Sequence, residues 1–219
     1  MITIKEKYNK KDIALLPRAN FEGRIFTILS PEEADKAVEY LLKAPVLGFD
    51  TETRPTFHRG QTHIVALLQI STEDTAFLFR LNRIGLIPSL IRLLEDKNSI
   101  KVGLSLHDDF LMLKKRQFFT PGRFVELQHE AKEIGIADMS LQKLYANLYG
   151  EKISKGQQLS NWEADVLSDA QKLYAATDAW ACIRLYKKLQ ELKNTGDYIL
   201  EKACPNTEDT NNQDNHPNS

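Results

Sequence analysis

The chain has 219 residues, of which 42% are hydrophobic, and its 29 basic and 30 acidic residues leave a net charge of −1. This composition is typical of a globular protein with its own apolar core, and two cysteines are too few for a disulfide scaffold or a cysteine-rich zinc module. A nearly neutral chain has no overall attraction to nucleic acid or to a membrane, so binding to a polyanion would need a local patch or metal ions.

The two ends of the sequence differ in character from its middle. Residues 1–23 are mixed and charged, and we expect a loosely attached N-terminal arm. They lack the apolar region of a secretory signal, and no stretch of the chain has the roughly 18 apolar residues that would cross a bilayer. We therefore expect a cytoplasmic protein with no membrane partner. Residues 203–219 are polar and rich in asparagine, which predicts a disordered tail because burial cannot offset the entropy of ordering them.

Residues 24–202 are predicted to form one α/β domain. Short apolar runs indicate strands at 24–29, 46–50, 64–70, 76–81 and 100–106, with a further short candidate at 124–127. The polar residues 71–75 favour a hairpin between two of these strands. Ser30 with Glu33 and Ser168 with Gln171 are capping-box patterns, each of which begins a helix. Helices between strands predict a mixed five-stranded sheet with helices on both faces.

The first pattern that indicates chemistry is the sequence FDTET at the end of an apolar strand. Asp50 and Glu52 are two residues apart, so they point to the same face of the strand. Two neighbouring carboxylates repel each other and raise each other's pKa unless a cation lies between them. A divalent metal ion would satisfy this arrangement, whereas ordinary exposed acids at a strand end are the alternative.

Two later motifs supply further acids. The sequence LHDDF places Asp108 and Asp109 at the start of a helix, where the helix dipole alone favours acidic residues and one of them can be a simple cap. The sequence LYAATDAWA places Tyr174 and Asp178 four residues apart, hence on one face of the last long helix. An acid in this largely apolar stripe is either a functional group or a structural hydrogen-bond acceptor.

Four acids from two strand ends and two helices can converge at one end of the sheet. Ligation by oxygen alone suits Mg²⁺ or Mn²⁺ rather than zinc. Two such ions promote attack on a phosphodiester, because one activates water and both neutralise the developing charge. In that arrangement the hydroxyl of Tyr174 can orient the attacking water.

These motifs resemble those of the DnaQ-like 3'–5' exonucleases of the DEDD superfamily. The resemblance is to the tyrosine subgroup, in the branch of ribonuclease D and the Werner-syndrome helicase exonuclease domain. It covers residues 45–189 and rests on FDTE, VGLSLHDDFLMLKKR and LYAATDAWA. Smaller matches are the arginine and glycine at 59–60 and the serine and tryptophan at 160 and 162. The resemblance implies a ribonuclease H-like fold.

The resemblance also implies a role for each matched residue. Asp50 would bridge two metal ions, Glu52 and Asp178 would hold the ion that activates water, and the third acid would hold the second ion. Matching the residues that follow places this third acid at Asp109, with Asp108 as the alternative. Tyr174 occupies the position that defines the tyrosine subgroup. The residues assigned to substrate contact are Thr51, Thr53, Arg59 and His107.

The implied activity is removal of nucleoside 5'-monophosphates from the 3' end of DNA or RNA, with two Mg²⁺ or Mn²⁺ ions and no organic cofactor. Two other functions stay open: a catalytically silent module that binds nucleic acid, and a phosphodiesterase for very short oligonucleotides. For Trp162 we expect a structural role rather than base stacking. Whether the substrate is single-stranded or a recessed 3' end, and the oligomeric state, are not determined by the sequence.

Overall fold

A computed structural model describes residues 1–58 and 60–203 of the chain. The strands are β1 Ile2–Lys5, β2 Arg24–Ile28, β3 Val46–Glu52, β4 Leu67–Ser71, β5 Thr75–Phe79, β6 Ile100–Gly103, β7 Phe124–Glu126 and β8 Tyr198–Glu201. The helices are α1 Lys10–Ile13, α2 Pro31–Leu41, α3 Leu81–Ile84, α4 Pro88–Glu95, α5 Leu106–Lys114, α6 Leu127–Glu133, α7 Leu141–Tyr149 and α8 Asp169–Thr195. The predictions for Arg59 and for the polar tail from residue 204 onward lie outside the described residues.

The main sheet has six strands in the order β2-β5-β4-β3-β6-β7. The predicted count of five is therefore wrong, because all six predicted strand segments, including the short candidate at 124–127, join this sheet. Strands β3, β4 and β5 are antiparallel neighbours, as the hairpin pattern predicted, and the other pairings are parallel. Helices cover both faces of this mixed sheet, which confirms the predicted fold class.

The two faces of β3 have different neighbours. Leu47 and Phe49 are buried on one face in an apolar cluster shared with α2 and α4. Gly48, Asp50 and Glu52 alternate with them and therefore point to the opposite face. Since α8 packs on that opposite face, the two acids of β3 are directed toward the longest helix of the described chain.

Helix α8 is held very close to β3 at one glycine. A Cβ atom on Gly48 would lie 1.8 Å from the carbonyl oxygen of Ala179, so no other residue fits here without moving the helix. The predicted capping box fixes the N-terminal end of α8, because Ser168 accepts a hydrogen bond from the backbone of Gln171 and the Gln171 side chain accepts one from the backbone of Ser168. Close packing at Gly48 brings Asp178, the neighbour of Ala179, toward Asp50.

The N-terminal segment is packed onto the domain, so the expectation of a loose attachment is wrong. Strand β1 pairs in parallel with β8, and Ile4 is fully buried against α7 and α8. Phe21 is also buried. Charged residues between these apolar anchors obscured the packing in the sequence. Within residues 1–58 and 60–203, no helix has the length and apolar character to cross a membrane.

Candidate active site

Three acids that are distant in the sequence meet where β3 ends against α8. Ligand oxygens of Asp50, Glu52 and Asp178 all lie within 4.8 Å of one another. Glu52 and Asp178 are buried, with 9% and 6% of their surface exposed. Within the described residues, none of the three forms an ion pair with a lysine or arginine closer than 4.0 Å. The predicted convergence of these acids is therefore present in the fold.

The electrostatics of this acidic centre are unfavourable without a cation. Burial raises the pKa of Asp50, Glu52 and Asp178 well above the usual range of a carboxyl group. The charge of Asp178 raises the pKa of Asp50 further, and the charges of Asp50 and Asp178 do the same for Glu52. A divalent cation would relieve this repulsion. The all-oxygen donor set fits a hard ion such as Mg²⁺ or Mn²⁺.

Asp109 and Asp108, the two candidates for the acid contributed by α5, differ in their surroundings. Asp108 is exposed, whereas Asp109 is half-buried and accepts a hydrogen bond from the hydroxyl of Thr51. Burial raises the pKa of Asp109, and the charge of Asp50 raises it further. The backbone N–H of Thr51 also donates to Asp50 Oδ1 at 2.9 Å. Thr51 therefore links two acids, and this environment favours Asp109 over Asp108.

A glutamate from a neighbouring strand fixes the start of the helix that carries Asp109. Ser105 lies just before α5. Among the non-glycine residues that the structure describes, it alone has a left-handed backbone, with φ at 62°. Glu126 accepts hydrogen bonds from the backbone N–H groups of Ser105 and Leu106 at 3.1 and 2.8 Å. It thereby satisfies the helix start in place of a local cap. The sequence does not reveal this role, because a capping pattern contains only residues within a few positions of the helix start, and Glu126 lies far beyond them.

Tyr174 lies beside Asp178, four residues earlier on α8. Burial raises the pKa of Tyr174, and the nearby charges of Asp178 and Glu52 raise it further, so the hydroxyl stays protonated and acts as a donor. Burial raises the pKa of Asp178. The hydrogen bond that Tyr174 donates to this carboxyl and the positive charge of Lys155 both lower the pKa, and they partly offset the effect of burial. Trp162 is fully buried and packs on Tyr174 with ring centroids 5.9 Å apart. Trp162 therefore supports the tyrosine from within the core.

Two other residues predicted to contact substrate are near neighbours, along the chain, of acids of the centre. Thr53 is half-buried one residue after Glu52, and His107 is exposed in the first turn of α5. Nearby, Glu163 accepts from Arg54 at 3.4 Å and contacts His63 Nδ1 at 2.9 Å. These contacts connect the loop after β3 to the loop before α8.

A second group of potential ligands has a different character. His129, Glu130 and Glu133 lie close together on α6. Lys193 pairs with both glutamates, at 2.8 Å from Glu130, so the negative charge of this group is already partly neutralised. The acidic centre at β3 and α8 has no such partner among the described residues, which makes it the stronger metal site.

The fold and the acidic centre together define a ribonuclease H-like nuclease domain. The family model described as 3'-5' exonuclease matches residues 25–193 of the chain. This chain belongs to that 3'-5' exonuclease family, as the sequence motifs predicted.

Two curated relatives support the same branch of the family. The chain is 34% identical over 168 residues to the bifunctional 3'-5' exonuclease/ATP-dependent helicase WRN of Mus musculus, with 74% of this chain and 12% of the relative covered. It is 29% identical over 183 residues to ribonuclease D of Gluconacetobacter diazotrophicus, with 82% and 45% covered. The chain therefore spans less than half the length of either relative.

Solved structures agree on the fold. The EXO domain of Aedes aegypti Nibbler has a TM-score of 0.72 at 20% identity, with 81% of this chain and 92% of that chain covered. Brucella melitensis NrnC, solved bound to pGG, has a TM-score of 0.63 at 27% identity, with 80% and 84% covered.

Proposed function

We propose that residues 24–202 act as a 3'-5' exonuclease that hydrolyses the terminal phosphodiester of a DNA or RNA strand and releases nucleoside 5'-monophosphates. One observation carries the proposal: Asp50, Glu52 and Asp178 form a carboxylate cluster at the sheet end that has no ion-pair partner among residues 1–58 and 60–203. The family relationship supplies the reaction class and its polarity. We expect the reaction to occur in the cytoplasm, without an organic cofactor.

Two divalent ions would be held by the four acids. Asp50 would contact both, Glu52 and Asp178 would complete one site, and Asp109 would complete the other. Bound Mg²⁺ or Mn²⁺ supplies activation of water and neutralises charge on the phosphate. The residues of the chain prepare this centre: Thr51 orients Asp109 through its hydroxyl, and burial limits the contact of Asp178 with bulk solvent.

Tyr174 is assigned a positioning role in water attack. Its hydroxyl is a donor at neutral pH because burial and nearby carboxylates keep it protonated. It would donate to the attacking water in place of Asp178, its acceptor in the metal-free protein, and would not act as the base. Packing of Trp162 on the ring fixes the direction of that hydroxyl.

The direct test is hydrolysis of 5'-labelled single-stranded DNA and RNA oligonucleotides with Mg²⁺ or Mn²⁺. A ladder of products that shortens from the 3' end is expected from the unmodified chain, whereas Asp178→Asn should give none. Asp35→Asn, an exposed acid on α2, is the matched control and should retain full activity. Absence of a ladder with every substrate and metal would favour a silent binding module.

A second candidate function is hydrolysis of very short oligonucleotides. It is favoured by the likeness to NrnC, which was solved with pGG and is 84% covered by this chain. Turnover of pGG and of a 10-mer of matched sequence separates the two functions. Preference for pGG by a factor of ten or more would support the short-substrate function, and comparable turnover would support a general exonuclease.

A further inference from the structure

A polar groove lies on α8 beside the acidic centre. It has a volume of about 290 Å³, and Tyr174 and Leu173 form part of its lining. Arg18 and Asn20 of the N-terminal segment form one wall, and the loop residues Ile153, Ser154, Gly156 and Gln157 also line the groove. Because Tyr174 belongs both to this groove and to the acidic centre, a strand bound at the centre can extend into the groove.

The N-terminal wall of the groove is fixed by backbone hydrogen bonds. The N–H of Ala19 donates to the carbonyl of Lys152 at 2.9 Å, and the N–H of Lys152 donates to the carbonyl of Pro17 at 2.8 Å. The N–H of Phe21 donates to Thr177 Oγ1 at 3.1 Å, on the helix that forms the floor. The groove is therefore already shaped, and Arg18 is presented on a fixed backbone.

The chemistry of the groove suits an anionic ligand with hydrogen-bonding edges. Arg18 is the single charged residue among the described residues that line it. Its side chain is exposed and has no ion pair or hydrogen bond to any described residue, so its donors are available. The amides of Asn20 and Gln157 and the hydroxyl of Ser154 provide further polar groups. A guanidinium binds a phosphate through two parallel hydrogen bonds.

We propose that this groove binds the nucleotide on the 5' side of the scissile bond, with Arg18 contacting the phosphodiester of that nucleotide. The proposal rests on the exonuclease function and adds a strand-binding site built by the N-terminal segment. A surface arginine is often only a solvated charge. Here its position on a fixed wall of a groove that continues to Tyr174 gives it a specific ligand.

The test compares two substrates, of which only one is long enough to enter the groove. The p-nitrophenyl ester of thymidine 5'-monophosphate occupies the acidic centre alone, whereas a single-stranded 10-mer also enters the groove. For Arg18→Ala we expect the ratio of kcat/KM for the 10-mer to that for the ester to fall about tenfold, through a higher KM. Arg18→Lys should restore part of the ratio, because it keeps the charge but loses the paired geometry.

Salt dependence provides a readout that a purely structural arginine would not change. Loss of one phosphate contact should reduce the slope of log KM against log salt by about 0.7 for a single strand. Arg92→Ala removes an exposed arginine on α4 that pairs with Glu39, and it is the matched control with an unaltered ratio and slope. An unaltered ratio for Arg18→Ala, or an equal loss on both substrates, would overturn the proposal.

Failure of the groove is distinguishable from failure of the exonuclease function. If the unmodified chain hydrolyses neither substrate, the proposed function fails. Fluorescence anisotropy of a labelled 10-mer then still tests the groove, because Arg18→Ala should weaken binding about tenfold relative to Arg92→Ala. Equal binding by the two variants would refute the role of Arg18 independently of catalysis.

Discussion

Replacing Asp50 by asparagine should abolish hydrolysis and, at the same time, stabilise the metal-free protein. Asparagine is nearly isosteric with aspartate but carries no charge, so it removes one member of a mutually repelling cluster. In the folded protein Asp50 lies within 4.8 Å of ligand oxygens of Glu52 and Asp178. The same substitution removes the acid assigned to both metal ions, which is the reason that activity should disappear.

The size of the stabilisation follows from that distance. Two unit charges 4.8 Å apart repel by about 3.5 kcal/mol at an effective dielectric constant of about 20. Protonation of neighbouring carboxyls already relieves part of this repulsion, since burial raises the pKa of Asp50 and Glu52. We therefore expect Asp50→Asn to increase the free energy of unfolding by about 1–3 kcal/mol at about pH 8. This corresponds to a rise in Tm of about 2–4 °C for each kcal/mol.

The sign of the pH dependence is determined by the raised pKa values. The folded protein holds these protons more tightly than the unfolded chain, whose carboxyls titrate near pH 4. The penalty is therefore absent at low pH and grows as pH rises through the folded pKa values. The stability gain of Asp50→Asn should accordingly shrink between about pH 8 and pH 5.

The assay is chemical denaturation in EDTA at both pH values, repeated with saturating Mg²⁺. Mg²⁺ should stabilise the unmodified protein more than Asp50→Asn, because the variant has lost a ligand. Asp35→Asn, in an exposed position, should change stability by less than about 0.5 kcal/mol at either pH. If Asp50→Asn is less stable than the unmodified protein in EDTA at pH 8, the carboxylate is a structural acceptor and the repulsion argument is wrong.

Four further substitutions test separate parts of the centre and of the packing behind it. Tyr174→Phe should lower kcat about 10- to 100-fold while leaving metal binding intact, measured by titration with Mn²⁺; undiminished turnover would remove the hydroxyl from the mechanism. Asp109→Asn should abolish activity and Asp108→Asn should retain most of it, in the same oligonucleotide assay, and the reverse result would exchange their roles. Gly48→Ala should destabilise the fold by about 2–3 kcal/mol in urea denaturation, because its Cβ would lie 1.8 Å from a carbonyl oxygen of α8; undiminished stability would show that the helix can move away at low cost.

The acids of the centre were predictable because local rules determine their directions. Alternation along β3 placed Asp50 and Glu52 on one face, and helical spacing placed Tyr174 beside Asp178. Glu126 was not predictable in this way. It acts on the backbone of Ser105 and Leu106, about 20 residues away, and this contact exists only once β7 has paired with β6.

The N-terminal segment and the sheet edge show the same limit. Ile4 is buried by pairing with β8, nearly two hundred residues later, and no short window of the sequence contains both partners. Strand β7 has three residues, too few for a period of two to stand out, so the sequence indicated it only as a short candidate at 124–127 and did not indicate its partner. Long-range contacts between short, partly polar segments therefore escaped prediction, whereas the motif-bearing elements did not.

The parallel pairing of β1 with β8 makes the folding unit wider than the region that the family model matches. The family match spans residues 25–193, and both strands of this pair lie outside it. A fragment cut to the matched region would lose the partner strands, the buried Ile4 and the segment that carries Arg18, while retaining every acid of the centre. The family match thus contains the chemistry of this protein, whereas the packing of its domain also involves residues on both sides of that match.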